Sequence, residues 1–290
     1  MAQDIGRSHA VVITGASTGI GLTCAQHLTR VGFRVFGGVR REEDGQTLRA
    51  GGITPVMLDV TDTDQIREAA QTVADAVGAD GVYGLVNNAG IATTGPLEFI
   101  DIAELRRQLD VNVIGQVAVT QSFMPLLRIT RGRIVHMGSV SGRFAIPFLG
   151  PYAASKFALE AIADAMRREL RPWGIHVCLL EPGVIATPIW DKSKSQTQRR
   201  FRNLSSEARR LYGPFIGALG KKVDEMAARG IPPETVSATV LHALTARKPR
   251  ARYVVGANAK REMRLLPFVP DWLLDRLIAR QIGLPSKAEL

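Results

Sequence analysis

Two cysteines among 290 residues are too few for a disulfide framework, and Cys24 and Cys178 lack any metal-ligand spacing. One falls in a predicted helix and one in a predicted strand, so both read as ordinary buried thiols. No metal site is expected. No segment reads as a membrane span, and the N-terminal residues 1–10 lack the apolar core of a secretory signal, so the expected location is cytoplasmic. Aromatic residues make up only 6% of the chain. No helix-turn-helix, zinc or aromatic RNA-binding signature accompanies its basic charge, which argues against a nucleic-acid partner. Internal repeats and low-complexity tracts are also missing.

Positive charge is in excess, with a formal net charge of +10. Residues 1–190 hold 17 Lys and Arg against 18 Asp and Glu, whereas the last hundred hold 20 against 9. The surplus gathers at Lys192–Arg210 and Arg247–Arg264. It reads as solvated surface or as an attraction to an anionic membrane or substrate. The tail adds an apolar run from Leu265 to Leu274, and Asp271 is placed to cap an amphipathic helix running to about Gly283. Packing on the domain is the favoured reading of that helix, and a peripheral membrane contact, which would make the cytoplasmic protein membrane-associated, is the alternative.

Apolar runs predict strands near 10–14, 33–39, 54–58, 82–86, 132–137, 175–181 and 251–255. Helical patterns separate them at 19–31, 62–78, 101–129, 151–171 and 232–246. The alternation predicts an α/β fold with a doubly wound parallel sheet. Strands such as Val82–Val86 are apolar without alternation, as expected where helices cover both faces.

Three motifs sit at strand ends. The run Thr14-Gly15-Ala16-Ser17-Thr18-Gly19-Ile20-Gly21 follows the first strand and opens a helix. Glycines there permit close backbone approach, and a helix N-terminus offers N–H groups to a pyrophosphate. Its glycine spacing differs from the G-x-G-x-x-G fingerprint. A second turn, Asn87-Asn88-Ala89-Gly90, ends the fourth strand. Third, Tyr152 and Lys156 lie one helical turn apart, downstream of Ser139. A phenol ionises near pH ~10, so it needs a nearby cation to work as an acid/base at neutral pH. An ammonium at ~4 Å with an effective dielectric of ~20 is worth about 4 kcal/mol, enough to lower the phenol into that range.

Taken in order, these motifs together with Asn112 resemble the short-chain dehydrogenase/reductase family over about residues 8–190. The Gly-Ser-Val-Ser-Gly and Arg-Tyr-Val-Val-Gly runs are similar to its hydroxysteroid and retinol dehydrogenase branch. The resemblance implies one Rossmann-type domain over 1–290. Residues 8–187 would form the cofactor-binding and catalytic core, 188–230 a helical substrate lid, and 257–290 a C-terminal extension. Phe201, Leu204, Leu211, Tyr212, Phe215 and Ile216 are candidates for the lid's pocket face.

The resemblance further implies an NAD(P)-dependent oxidoreductase that interconverts an alcohol and a carbonyl on a lipophilic, steroid- or retinoid-like substrate. Tyr152 would be the general acid/base, Ser139 its partner at the substrate oxygen, Lys156 the cation beside it, and Asn112 the residue ordering a helix break and a relay water. Cofactor contacts would come from Gly15, Ser17, Thr18, Gly19, Ile20 and Gly21 at phosphate and ribose. Asp59 and Val60 would meet the adenine, with Thr61 or Asp62 competing for the helix cap there. Asn87, Ala89 and Gly90, and Pro182, Gly183 and Thr187, would line the nicotinamide side, and Tyr152 and Lys156 would reach its ribose. Val39 stands where an acid would select NAD, and Arg40 follows, so NADP is preferred and NAD remains possible. Arg40 could instead face solvent beside Glu42 or Glu43. Relatives pair through the two long helices, which implies a homodimer or homotetramer. A non-catalytic NADP-binding regulator would lose Ser139, Tyr152 or Lys156. An epimerase or dehydratase of the extended family would carry a different glycine spacing and a larger sugar domain.

Overall fold

The computed structural model describes residues 9–187, 205–213, 215, 225 and 230–282. Seven parallel strands form one sheet: β1 (Ala10–Ile13), β2 (Arg34–Val39), β3 (Thr54–Met57), β4 (Gly84–Asn87), β5 (Arg133–Met137), β6 (His176–Pro182) and β7 (Arg252–Val255). Their order is β3-β2-β1-β4-β5-β6-β7, so the direction of winding reverses between β1 and β4. Alternate residues split between two cores. Val12, Leu85, Ile134 and Leu179 face one layer of helices. Val11, Ile13, Val86, Val135 and Leu180 face the other. Both faces are dry, which explains strands without polar alternation.

The helices are α1 (Gly19–Arg30), α2 (Glu42–Ala50), α3 (Thr63–Val77), α4 (Ile102–Leu109), α5 (Gly115–Thr130), α6 (Gly150–Leu170), α7 (206–213), α8 (Pro233–Thr245), α9 (Ala257–Leu265) and α10 (Asp271–Ile282). Two differences from the sequence reading have local causes. The helix expected over 101–129 is interrupted by a π-helical turn at Asp110–Ile114, where Asn112 turns inward. Helix α2, not anticipated, buries only Gly45 and Leu48 and so shows almost no apolar period.

Helix α10 begins at Asp271 itself, whose carboxylate therefore sits in the first turn instead of capping from outside. Of the candidate lid residues, Phe201, Leu204 and Ile216 lie outside the described residues. No helix among the described residues is long and apolar enough to cross a membrane.

Candidate active site

A crevice of about 320 Å³ opens beyond the carboxyl ends of the strands, at the point where the winding reverses. Ligands bind there in open α/β sheets. Gly15, Ser17, Thr18, Gly19, Ile20, Gly21, Arg40, Asp59, Val60, Ala89, Gly90, Ser139, Tyr152, Lys156, Pro182, Gly183 and Thr187 all line it. The motifs named from sequence thus converge on one wall and floor.

The glycine turn is packed as tightly as its composition demands. Gly15 adopts φ +64°, and a Cβ there would meet Ala89 Cα at 3.0 Å. At Gly21 a Cβ would overlap the Gly15 carbonyl oxygen and lie 2.5 Å from Asn88 Nδ2. Asn88 holds the turn by donating from Nδ2 to the carbonyls of Thr14 (2.9 Å) and Gly15 (3.1 Å). The Thr14 hydroxyl in return accepts from the N–H groups of Asn88 and Ala89, each at 2.9 Å.

Thr18 caps α1 without any side-chain hydrogen bond, and the first turn carries no acid. Its N–H groups and positive dipole end remain available to an anion. A dinucleotide pyrophosphate fits this cradle.

At the adenosine end, Asp62 is the residue that caps α3, accepting from Asp64 and Gln65 N–H at 3.0 and 3.1 Å. Asp59 is thereby released from that duty. Its Oδ1 accepts from Thr61 N–H and Oγ1, and the residue stays on the crevice wall. Arg41 takes Asp44 through two hydrogen bonds of 3.1 and 2.8 Å, and Arg49 takes Glu42 at 2.6 Å. Arg40 makes no ion pair among the described residues and faces the crevice instead of those acids.

Two expected residues lie behind the wall. Asn87, the last residue of β4, is fully buried and donates to Thr120 Oγ1 at 2.8 Å, while its neighbour Asn88 lines the crevice. Asn112 is equally buried. Its side chain accepts from the Ile91 N–H (2.9 Å) and donates to the Ile91 carbonyl and to Ser155 Oγ, each at 3.0 Å. It clamps the loop after β4 to α6.

Arg107, Val111, Ile91, Met137 and Ile185 also line the crevice without any sequence signal that would have marked them. The Asn88 role was present in the motif, and only strand parity decides which asparagine faces out.

Ser139 caps the 3₁₀ turn Val140–Gly142, its Oγ accepting from Ser141 N–H at 3.1 Å. Helix α6 then carries Tyr152 and Lys156 on one face, with Lys156 Nζ 5.5 Å from the centroid of the Tyr152 ring. The ammonium donates to the Met137 carbonyl at 2.6 Å.

Burial dominates both groups. It raises the Tyr152 phenol above its ordinary value, opposed by the hydrogen bond with Ser139, and lowers Lys156 to about 8. The sequence alone predicts that the ammonium prevails. In the structure desolvation of the buried phenol is the larger effect, and what opposes it is the hydrogen bond with Ser139.

Such a site, with a nucleotide cradle at one end and a Ser–Tyr–Lys cluster at the other, finds its counterparts among known proteins. A family model described as short chain dehydrogenase matches residues 9–198. The chain is 36% identical to the NADPH-dependent 3-dehydrocapnine reductase of Ornithobacterium rhinotracheale, covering 93% of this chain and 96% of that protein. It is 38% identical to retinol dehydrogenase 16 of Mus musculus, covering 96% and 90%.

Among solved structures, a short chain dehydrogenase from Burkholderia cenocepacia J2315 in complex with NADP superposes with a TM-score of 0.71. That match has 25% identity and covers 96% of this chain and 98% of the other. The chain therefore belongs to the short-chain dehydrogenase/reductase family, in its retinol and hydroxysteroid dehydrogenase-like branch, and is an oxidoreductase that uses a nicotinamide dinucleotide to interconvert a small-molecule alcohol and carbonyl.

Proposed function

We propose that the protein is an NADP(H)-dependent oxidoreductase of a lipophilic alcohol–carbonyl pair, with Tyr152 as general acid/base. The observation that carries this reading is the placement of Ser139, Tyr152 and Lys156 together on the crevice wall that continues from the glycine cradle. Bound there, the dinucleotide would supply or accept the hydride at the carbonyl carbon. Tyr152 gives its hydroxyl proton to the substrate oxygen in reduction and takes it back in oxidation. Ser139 donates a hydrogen bond to the same oxygen, stabilising charge as it develops.

Lys156, held by Met137, provides the cation that favours the phenolate at the moment it forms. Asn112 supports α6 from behind and keeps the helix break in place. Arg40 at the end of β2 supports NADP over NAD, since a guanidinium grips a ribose 2′-phosphate. The names of the relatives support a lipophilic substrate, because retinol is one.

The lid and extension belong to the same reading. Tyr212 of α7 donates to Glu98 at 2.7 Å and packs edge-on against Phe99 and Phe148, so α7 leans on the 3₁₀ turn Leu97–Phe99 and on the segment that leads into α6. This supports 188–230 as the substrate lid of a single domain. The extension, α9 and α10, supports a peripheral membrane contact.

Tyr152→Phe tests the central assignment. The variant retains NADPH binding, measured by cofactor fluorescence, and loses turnover of a hydrophobic carbonyl panel by ~10²–10⁴-fold. Undiminished turnover would overturn the proton donor.

A further inference from the structure

Behind the Tyr152–Lys156 helix lies a buried charge cluster that the reaction as described does not use. Glu181, in β6 immediately before Pro182, is fully buried. Glu160, one turn beyond Lys156 on α6, has a side chain only 12% exposed. Both carboxylates converge on one guanidinium nitrogen. Arg252 Nε of β7 lies 2.7 Å from Glu160 Oε2 and 3.6 Å from Glu181 Oε1. Arg143, just past the turn that Ser139 caps, reaches Glu181 Oε1 at 3.2 Å. Asp164, also on α6, is engaged by Arg252 at 3.1 Å and by Arg167 and Arg168 at 3.1 and 3.2 Å.

The remaining oxygens, Glu160 Oε1 and Glu181 Oε2, are buried and have no hydrogen-bond partner. Two acceptor-only carboxylates cannot satisfy each other, whereas a carboxylic acid can donate to a carboxylate. Burial and the Glu160 charge also push the Glu181 carboxyl well up, to about 7.

We propose that Glu181 and Glu160 share one proton, and that the resulting acid–carboxylate pair, clamped by Arg143 and Arg252, is a positioning device for the active site. Four segments meet in it: the Ser139 turn, the α6 helix that bears Tyr152 and Lys156, the β6 end that leads into Pro182–Gly183, and β7. Glu181 and Glu160 touch neither substrate nor cofactor. They fix the separation of the residues that do. The role in catalysis rests on the proposed function, while the shared proton does not.

The shared proton has a definite sign. Glu181 binds its proton more tightly folded than unfolded. The stability tied to it is present at low pH and lost as pH rises toward about 7. Loss of the proton leaves two buried anions side by side, which the two arginines must then balance against Asp164 as well.

Glu181→Gln keeps the shape and a permanent donor toward Glu160 but cannot ionise. Relative to that variant, the wild-type melting temperature falls by roughly 4 °C between pH 5 and pH 8. Over the same range the ratio of variant to wild-type kcat, measured on a carbonyl that the wild type reduces, rises roughly tenfold as the wild-type positioning loosens.

A parallel pair of melting curves, with a constant difference at every pH, overturns the shared proton. Divergent melting curves with a constant kcat ratio overturn the positioning role alone. Should Glu181→Gln not fold, infrared difference spectra of the wild type decide. A protonated-carboxyl band at pH 6 that vanishes by pH 8.5 supports the pair, and its absence refutes it. Neither melting nor infrared requires turnover, so their failure is distinguishable from failure of the assigned activity.

Discussion

Lys156 and Arg40 illustrate opposite uses of a cation. The first is buried, lowered to about 8 by desolvation, and held beside the Tyr152 ring by its hydrogen bond to the Met137 carbonyl. Arg40 is exposed and lines the far end of the crevice, where its value depends on what is brought to it. An exposed guanidinium on a phosphate forms charge-assisted hydrogen bonds worth ~1.5–3 kcal/mol. Arg40→Ala is therefore expected to weaken NADPH binding by roughly 10- to 100-fold and NADH binding by less than about threefold, as read by fluorescence titration with each cofactor. Equal losses for both would show that the side chain does not read the 2′-phosphate.

The elements that position these residues were legible to different degrees, for physical reasons. Helix α1 and its glycine turn could be read because close backbone packing restricts residue choice at Gly15 and Gly21. The pairing of Tyr152 with Lys156 needs only the helical repeat. Helix α2 was not legible, since a helix that buries two residues leaves no period to detect. The Glu160–Glu181 cluster was equally hidden, because Arg143, Glu160, Glu181 and Arg252 come from four elements that only the tertiary fold brings together.

At this scale α4, the π turn and α6 present Ile102, Ile114 and Phe157 to solvent at 55%, 58% and 44% exposure. Apolar side chains grouped on adjacent helices support pairing with a second copy of the chain. Phe157→Glu is expected to shift the light-scattering mass from that of a homodimer or homotetramer toward the 31.5 kDa monomer. A wild-type mass of 31.5 kDa would refute the pairing, and an oligomer mass that the substitution leaves unchanged would show that Phe157 is not in the interface.

For the molecule as a whole, charge and apolar exposure coincide at the C-terminal side. Leu265, Phe268 and Trp272 are exposed at 56%, 83% and 66%, at the end of α9, in the 3₁₀ turn Leu266–Phe268 and at the start of α10. Arg261 and Arg264 precede them and Arg276 follows, all exposed. Glu262, Asp271 and Asp275 offset part of that charge, yet the last hundred residues still carry 20 basic against 9 acidic side chains. Leu273, Leu274 and Ile278 are half-buried, while Trp272 and Leu277 are exposed at 66% and 49%.

An aromatic flanked by arginines suits the interface of an anionic bilayer, where each nearby basic residue adds about 1 kcal/mol. The full-length protein is expected to co-sediment with phosphatidylcholine vesicles containing phosphatidylserine and not with phosphatidylcholine alone. Binding should weaken as salt is raised. Replacing both Phe268 and Trp272 by serine should abolish it while NADPH binding is unchanged. Equal sedimentation with both vesicle types, or full binding by the double variant, would sink the membrane contact and leave these side chains as exposed surface.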